Sequence, residues 1–235
     1  MNISEMLGEY ERDYALAMLG VEDFPYQKLS GKTIVVDGES EYMKLTVCMS
    51  LLALNDKEKL SIKVLMLGNG NELSDKLSER NDFSLCSYEQ AAAAEYNFFI
   101  STGICGLELD GTSAEYCRIT NNFARAISTA KSCLERCILL SDYRVYGGLE
   151  RGLVISENEA GFVPFSNDGD MSQTTAVSIE TYFSAYAKQF NLPTIILRSG
   201  ILLGAKAELP ENFTDELFSA VAEGKVPFAV PRCSA

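Results

Sequence analysis

Apolar residues fall along this chain in two alternating rhythms. Short apolar-rich runs occur at 33–36, 62–67, 83–86, 98–100, 137–140 and 194–197, the first of them, Thr33-Ile34-Val35-Val36, β-branched throughout. Runs of that length predict strands buried on both faces, as in a parallel sheet. Between them, apolar positions recur at helical spacing. Leu45, Cys48, Met49, Leu52 and Ala53 predict a helix over 42–54, and further helices are expected over 72–79, through the alanine run 91–94, over 115–136 and over 174–190. Strands alternating with helices imply right-handed crossovers and a doubly wound parallel sheet, an α/β architecture. Ile3, Met6, Leu7, Tyr10, Tyr14, Leu16, Ala17 and Leu19 add a first helix over 3–20, interrupted by Asp23, Phe24 and Pro25. The expected organisation is an N-terminal helical extension, 1–30, followed by one doubly wound domain, 31–235. Residues 161–172, rich in Gly, Asn, Asp and Ser, are the most loop-like stretch.

Composition removes several function classes. The chain of 235 residues contains no histidine, which excludes a Ser-His-Asp or Cys-His apparatus and any histidine-containing metal site. Acids outnumber bases 33 to 20, for a formal charge of −13, and the bases form no stripe. A diffuse negative field disfavours nucleic acid and anionic membrane as partners. The seven cysteines are too few and too spread for a disulfide scaffold. Cys133 and Cys137 stand four apart, at helical spacing, with no further ligands nearby, so they read as small buried hydrophobes rather than metal ligands. The N-terminus lacks a basic segment followed by an apolar one, and no apolar run approaches the ~18 residues of a membrane helix. The expected location is cytoplasmic, with no metal.

The residues after 138 carry a more specific signal. Leu139-Leu140-Ser141-Asp142-Tyr143-Arg144-Val145-Tyr146-Gly147 resembles the strand-end motif S-S/T-x-x-V-Y-G. Glu180 and the stretch Tyr186-Ala187-Lys188-Gln189-Phe190-Asn191-Leu192-Pro193 resemble the end of an active-site helix, and 194–204 resembles an I-L-R-P-x-x-V-Y-G segment. In this order and spacing the set resembles the NAD-dependent epimerase/dehydratase family, the extended short-chain dehydrogenases, over about residues 32–230. The resemblance implies a Rossmann-type fold and ancestry among enzymes that act mostly on nucleotide sugars.

The same resemblance shows where this chain departs. The family's phosphate loop is G-x-x-G-x-x-G, and its three glycines fall at Gly38, Glu41 and Lys44. The lost glycines normally let the backbone approach a pyrophosphate and let helix and strand pack closely. Glu39 and Glu41 instead bring carboxylates to the loop. At ~4 Å and an effective dielectric near 20, each repels a phosphate by on the order of 4 kcal/mol. The residues a dinucleotide would meet in this degenerate loop are Gly38, Ser40 and Tyr42. The end of the second strand, Met66-Leu67-Gly68-Asn69, offers no acid for a ribose hydroxyl. The family's catalytic Ser/Thr, Tyr and Lys fall at Asp142, Ser172 and Ala176, so all three roles are vacant and no catalytic residue is assigned. No cofactor is expected, NAD or NADP being the candidates if one binds. The lobe after residue 230 is expected to be shortened.

These departures favour a catalytically silent protein with a binding or assembly role. The alternative is a nucleotide-sugar enzyme that works through non-standard residues. Gly38 is expected to be a turn glycine rather than a working phosphate loop, Glu39 and Glu41 ordinary first-turn acids, Asp142 a solvated strand-end carboxylate and Arg198 half of an interior ion pair. Ile179, Phe183, Ala187 and Phe190 form an apolar stripe on the helix 174–190, with Tyr182 and Tyr186 beside it. That second apolar surface predicts a homodimer, and an active relative is the other expected partner.

Overall fold

The computed structural model describes residues 25–107, 109, 112–147, 156–157 and 171–200. The expected helix at 3–20, most of the loop 161–172 and the C-terminal lobe lie outside them. Six parallel strands form one sheet: β1 (Thr33–Asp37), β2 (Lys63–Leu67), β3 (Phe83–Cys86), β4 (Tyr96–Ser101), β5 (Cys133–Asp142) and β6 (Thr194–Ser199), in the order β3-β2-β1-β4-β5-β6. Between them run α1 (Glu41–Glu58), α2 (Glu72–Leu77), α3 (Tyr88–Ala93), α4 (Ser113–Thr129) and α5 (Met171–Phe190). This is the Rossmann-type doubly wound arrangement.

The β-branched run of β1 explains its central place. Ile34 and Val36 pack with Leu45, Cys48 and Leu52 of α1 on one face, while Val35 packs with Phe99, Ile119, Phe123 and Phe183 on the other. Alternate residues of a strand point to opposite faces, so only a run apolar at every position satisfies both cores. Each such fully buried side chain contributes roughly 1.5–3 kcal/mol. At the far end of α1, Asn55 donates to Ile62 O and accepts from Ile62 N, both at 2.7 Å, which ties the helix end to the strand that follows.

One expected element is corrected. The helix over 115–136 ends at Thr129, a short 3₁₀ turn spans Ala130–Ser132, and Cys133 begins β5. Cys133 and Cys137 therefore lie on a strand, both buried and both free thiols. Pairing with β4 overrides the local sequence: Cys133 stands opposite Tyr96 and Arg136 opposite Phe98, across an irregularity that accommodates one extra residue. Tyr96 completes the junction by donating its hydroxyl to Thr129 O at 2.7 Å. The hydrogen bond to Cys133 and burial together push the Cys137 thiol up, so it stays protonated. Helix α5 also begins earlier than expected, which places Ser172 on the helix instead of in the loop.

Candidate functional site

Strand β1 is followed by a crossover to β2 on one side of the sheet, and its other neighbour β4 leads to β5 on the opposite side. The divergence opens a crevice at the carboxyl ends of the strands, the usual ligand position in such sheets. Here it encloses about 600 Å³. Its walls include Asp37, Gly38 and Glu39 after β1, Lys44 on α1, Tyr88 on α3, and Asn122 and Arg125 on α4.

The loop at its base is built for packing. Gly38 has φ +151°, and a Cβ there would lie 1.8 Å from Thr102 Oγ1. The space that a glycine leaves open is thus filled by Thr102, whose buried hydroxyl has no hydrogen-bond partner among the described residues. Ser40 is fully buried and caps α1, its Oγ accepting from Met43 N at 3.4 Å. Tyr42 sits half-buried in the first turn of α1, and neither it nor Ser40 lines the crevice. Of the three loop residues singled out from the sequence, only Gly38 reaches it.

The two loop acids separate. Glu41 is exposed in the first turn of α1, an ordinary acid at the positive end of a helix. Glu39 precedes the helix and is not an ordinary first-turn acid. Its carboxylate accepts from Arg118 Nη1 and from Asn122 Nδ2, the latter at 2.9 Å, while its backbone N–H donates to Gly103 O at 3.0 Å. Its side chain is 13% exposed. Asp37, also buried, accepts from Ser101 Oγ at 3.2 Å, and burial pushes its carboxyl up to about 6 against the opposing pull of Lys44. Lys44 donates to Leu67 O at 3.4 Å. Arg125 stacks over the Tyr88 ring, 4.5 Å from its centroid, and burial pushes the Tyr88 hydroxyl up to about 12. Arg118, Asn122 and Arg125 escaped the sequence reading, although their i, i+4, i+7 spacing is a polar stripe on one face of α4.

A second polar cluster lies at the end of β5. Asp142 is 4% exposed, not solvated as expected. It accepts from Arg144 N at 2.9 Å, Nε at 2.8 Å and Nη2 at 2.9 Å, and Arg144 Nη2 also donates to Ile104 O and Leu107 O. A strand-end acid two residues before an arginine folds back on it because the backbone turns into a 3₁₀ segment there, Tyr143–Tyr146. Ser141 donates to Glu180 Oε1, and Glu180 in turn accepts from Arg198 Nε at 2.9 Å and Nη2 at 2.8 Å. Arg198 is thereby half of the expected ion pair, with its guanidinium 4.8 Å from the centroid of the Tyr146 ring. Ala176 is 1% exposed in the core beside Ile179 and Phe183, and Ser172 is half-buried.

These residues do not fit the diphosphate of a dinucleotide. The close approach that Gly38 allows is used by Thr102, and the Arg118 and Asn122 donors serve the Glu39 carboxylate at the crevice wall. No group of three or more acids and cysteines placed to hold a metal ion occurs among the described residues, and no described helix is long and apolar enough to cross a membrane.

No family model matches the sequence, and no curated protein matches it. Solved structures do. The chain aligns with UDP-glucuronic acid 4-epimerase from Bacillus cereus, solved with NAD, at 17% identity and TM-score 0.59, over 82% of this chain and 63% of that one. The enzyme WbmH of Bordetella bronchiseptica, in complex with NAD+, matches at 13% identity and TM-score 0.56, over 83% and 64%. UDP-N-acetylglucosamine 4-epimerase from Bacillus cereus matches at 14% identity and TM-score 0.56, over 83% and 63%. The chain therefore spans less than two thirds of the length of these enzymes. At such identities the likeness is one of fold: this chain has the Rossmann-type fold of the NAD-dependent epimerases and dehydratases, the extended short-chain dehydrogenases.

Proposed function

We propose that this protein is an epimerase/dehydratase-like protein that does not catalyse the family's hydride chemistry and acts through binding or assembly. The observation that carries the reading is Asp142. At the strand-end position where the resemblance expects a hydroxyl to orient the substrate oxygen, a carboxylate is buried and consumed by Arg144. The tyrosine and lysine that would lower a phenol's pKa and exchange the proton are Ser172 and Ala176 in this alignment, and Ala176 faces the core. A tyrosine near its ordinary pKa of ~10 is a poor base at neutral pH. In this reading Gly38, Ser40 and Tyr42 are a loop that no longer holds NAD or NADP. The free thiols among the described cysteines suit the cytoplasm as its compartment. The exposed aromatics Tyr182 and Phe190 on α5 offer a surface for a homodimer or for an active relative. The test is incubation of the protein with NAD or NADP and UDP-sugars, following reduced cofactor by absorbance and sugar configuration by NMR. No turnover is expected, and turnover of either kind overturns the reading.

A second reading, an enzyme with non-standard residues, draws on the connected array Ser141–Glu180–Arg198–Tyr146 at the same sheet edge. It predicts that Tyr146→Phe abolishes a measurable epimerase or dehydratase activity. The first reading predicts no activity to lose.

A further inference from the structure

We propose that Glu39 sets the specificity of the crevice by acting as an internal anion that excludes phosphorylated ligands. This rests on the crevice being the ligand site of the fold, and it goes beyond the loss of catalysis by naming what the crevice rejects and which residue rejects it. Two donors from α4, the Arg118 guanidinium and the Asn122 amide, converge on the Glu39 carboxylate at the crevice wall. A guanidinium and an amide N–H one helical turn apart also suit a phosphate. The carboxylate is tied in place from behind, since its own backbone N–H is bonded to Gly103 O. Its side chain is far less exposed than that of Arg118, 13% against 54%, so the acid is the buried partner and the arginine the outer one. Asp37 adds a second carboxyl to the same lining. A phosphate arriving here meets fixed negative charge and finds its donors engaged. The two cations of the lining are engaged as well, Lys44 with Leu67 O and the charge of Asp37, Arg125 with the Tyr88 ring and Glu89 at 3.7 Å. The other walls, Leu67, Leu85 and Cys86 beside Asn69, Ser87 and Gln90, present apolar surface and neutral hydrogen-bonding groups. The crevice therefore favours an uncharged ligand over its phosphorylated counterpart, the reverse of a dinucleotide site.

The experiment titrates ADP and adenosine, as charged and neutral probes of one base, into the full chain by calorimetry at pH 7.5. Wild type should bind ADP no more tightly than adenosine. Glu39→Ala should bind ADP at least tenfold more tightly than wild type, with adenosine changed less than threefold, and Glu39→Ala/Arg118→Ala should lose that gain. Glu39→Gln, which keeps the side-chain volume and removes the charge, should gain ADP affinity in the same direction and serves if the alanine variant does not fold. ADP bound as tightly by wild type as by both Glu39 variants overturns the proposal. A gain in ADP affinity that survives removal of Arg118 overturns the assignment of the released donors. Turnover of NAD by wild type would sink the non-catalytic reading, whereas only the ADP comparison decides the role of Glu39.

Discussion

Removing the Asp142 carboxylate isolates the contact on which the functional reading depends. Asp142→Asn keeps the shape and one acceptor for Arg144 N, but it leaves the Arg144 guanidinium without its counter-ion. The side chains of this pair are 6% and 16% exposed, so water cannot replace the lost partner at the acid's position. Breaking a buried pair from one side costs ~3–5 kcal/mol. Arg144 keeps its bonds to Ile104 O and Leu107 O, which places the expected loss at the lower end, about 3 kcal/mol. For a chain of this length that corresponds to a fall in Tm of roughly 6–12 °C. Urea unfolding followed by circular dichroism gives the free energy, and a cycle with Arg144→Met and the double variant isolates the pair, with a coupling of about 2–3 kcal/mol expected. A loss below ~0.5 kcal/mol, the size of an ordinary surface change, would show that the carboxylate is solvated after all. Position 142 would then be free to face a substrate.

Three further outcomes follow from named contacts. Asp37 has a folded pKa raised to about 6 from an ordinary 3.8, so the stability tied to its proton is full below ~4 and is lost as pH rises through 6. Asp37→Asn should therefore stabilise the protein at pH 7.5, by up to about 3 kcal/mol, and flatten the stability profile between pH 4 and 6; urea midpoints that fall equally for both proteins would refute this. Gly38→Ala should cost about 1–3 kcal/mol by driving a methyl into Thr102, with partial recovery in Gly38→Ala/Thr102→Ala, and thermal melts that show no recovery would exclude the clash as the cause. Ser172→Tyr/Ala176→Lys should reduce no NAD with any UDP-sugar and should also lower Tm, because the lysine enters the core beside Ile179 and Phe183; an unchanged Tm would place position 176 at an open surface.

The strands were legible where burial on both faces demands apolar residues at consecutive positions, as in Ile34-Val35-Val36 and Val64-Leu65-Met66-Leu67. The start of β5 was not legible. Cys133 to Arg136 carries no β-branched residue, and its strand state comes from pairing with Tyr96 and Phe98, distant in sequence. The site was legible only where its partners are local. Ser141, Asp142 and Glu180 could be placed by motif, but the burial of Asp142 depends on Arg144 reaching the carbonyls of Ile104 and Leu107, about forty residues away. Glu39 and Glu41 are alike in the local sequence. What separates Glu39 from Glu41 is a guanidinium 79 positions along the chain, and no local pattern encodes that contact.

Calorimetric titration of NAD into the wild-type full chain at neutral pH tests the central claim, that this fold persists without its dinucleotide site. No heat of binding is expected at millimolar cofactor. A dissociation constant in the micromolar range, or NAD carried through purification, would contradict it.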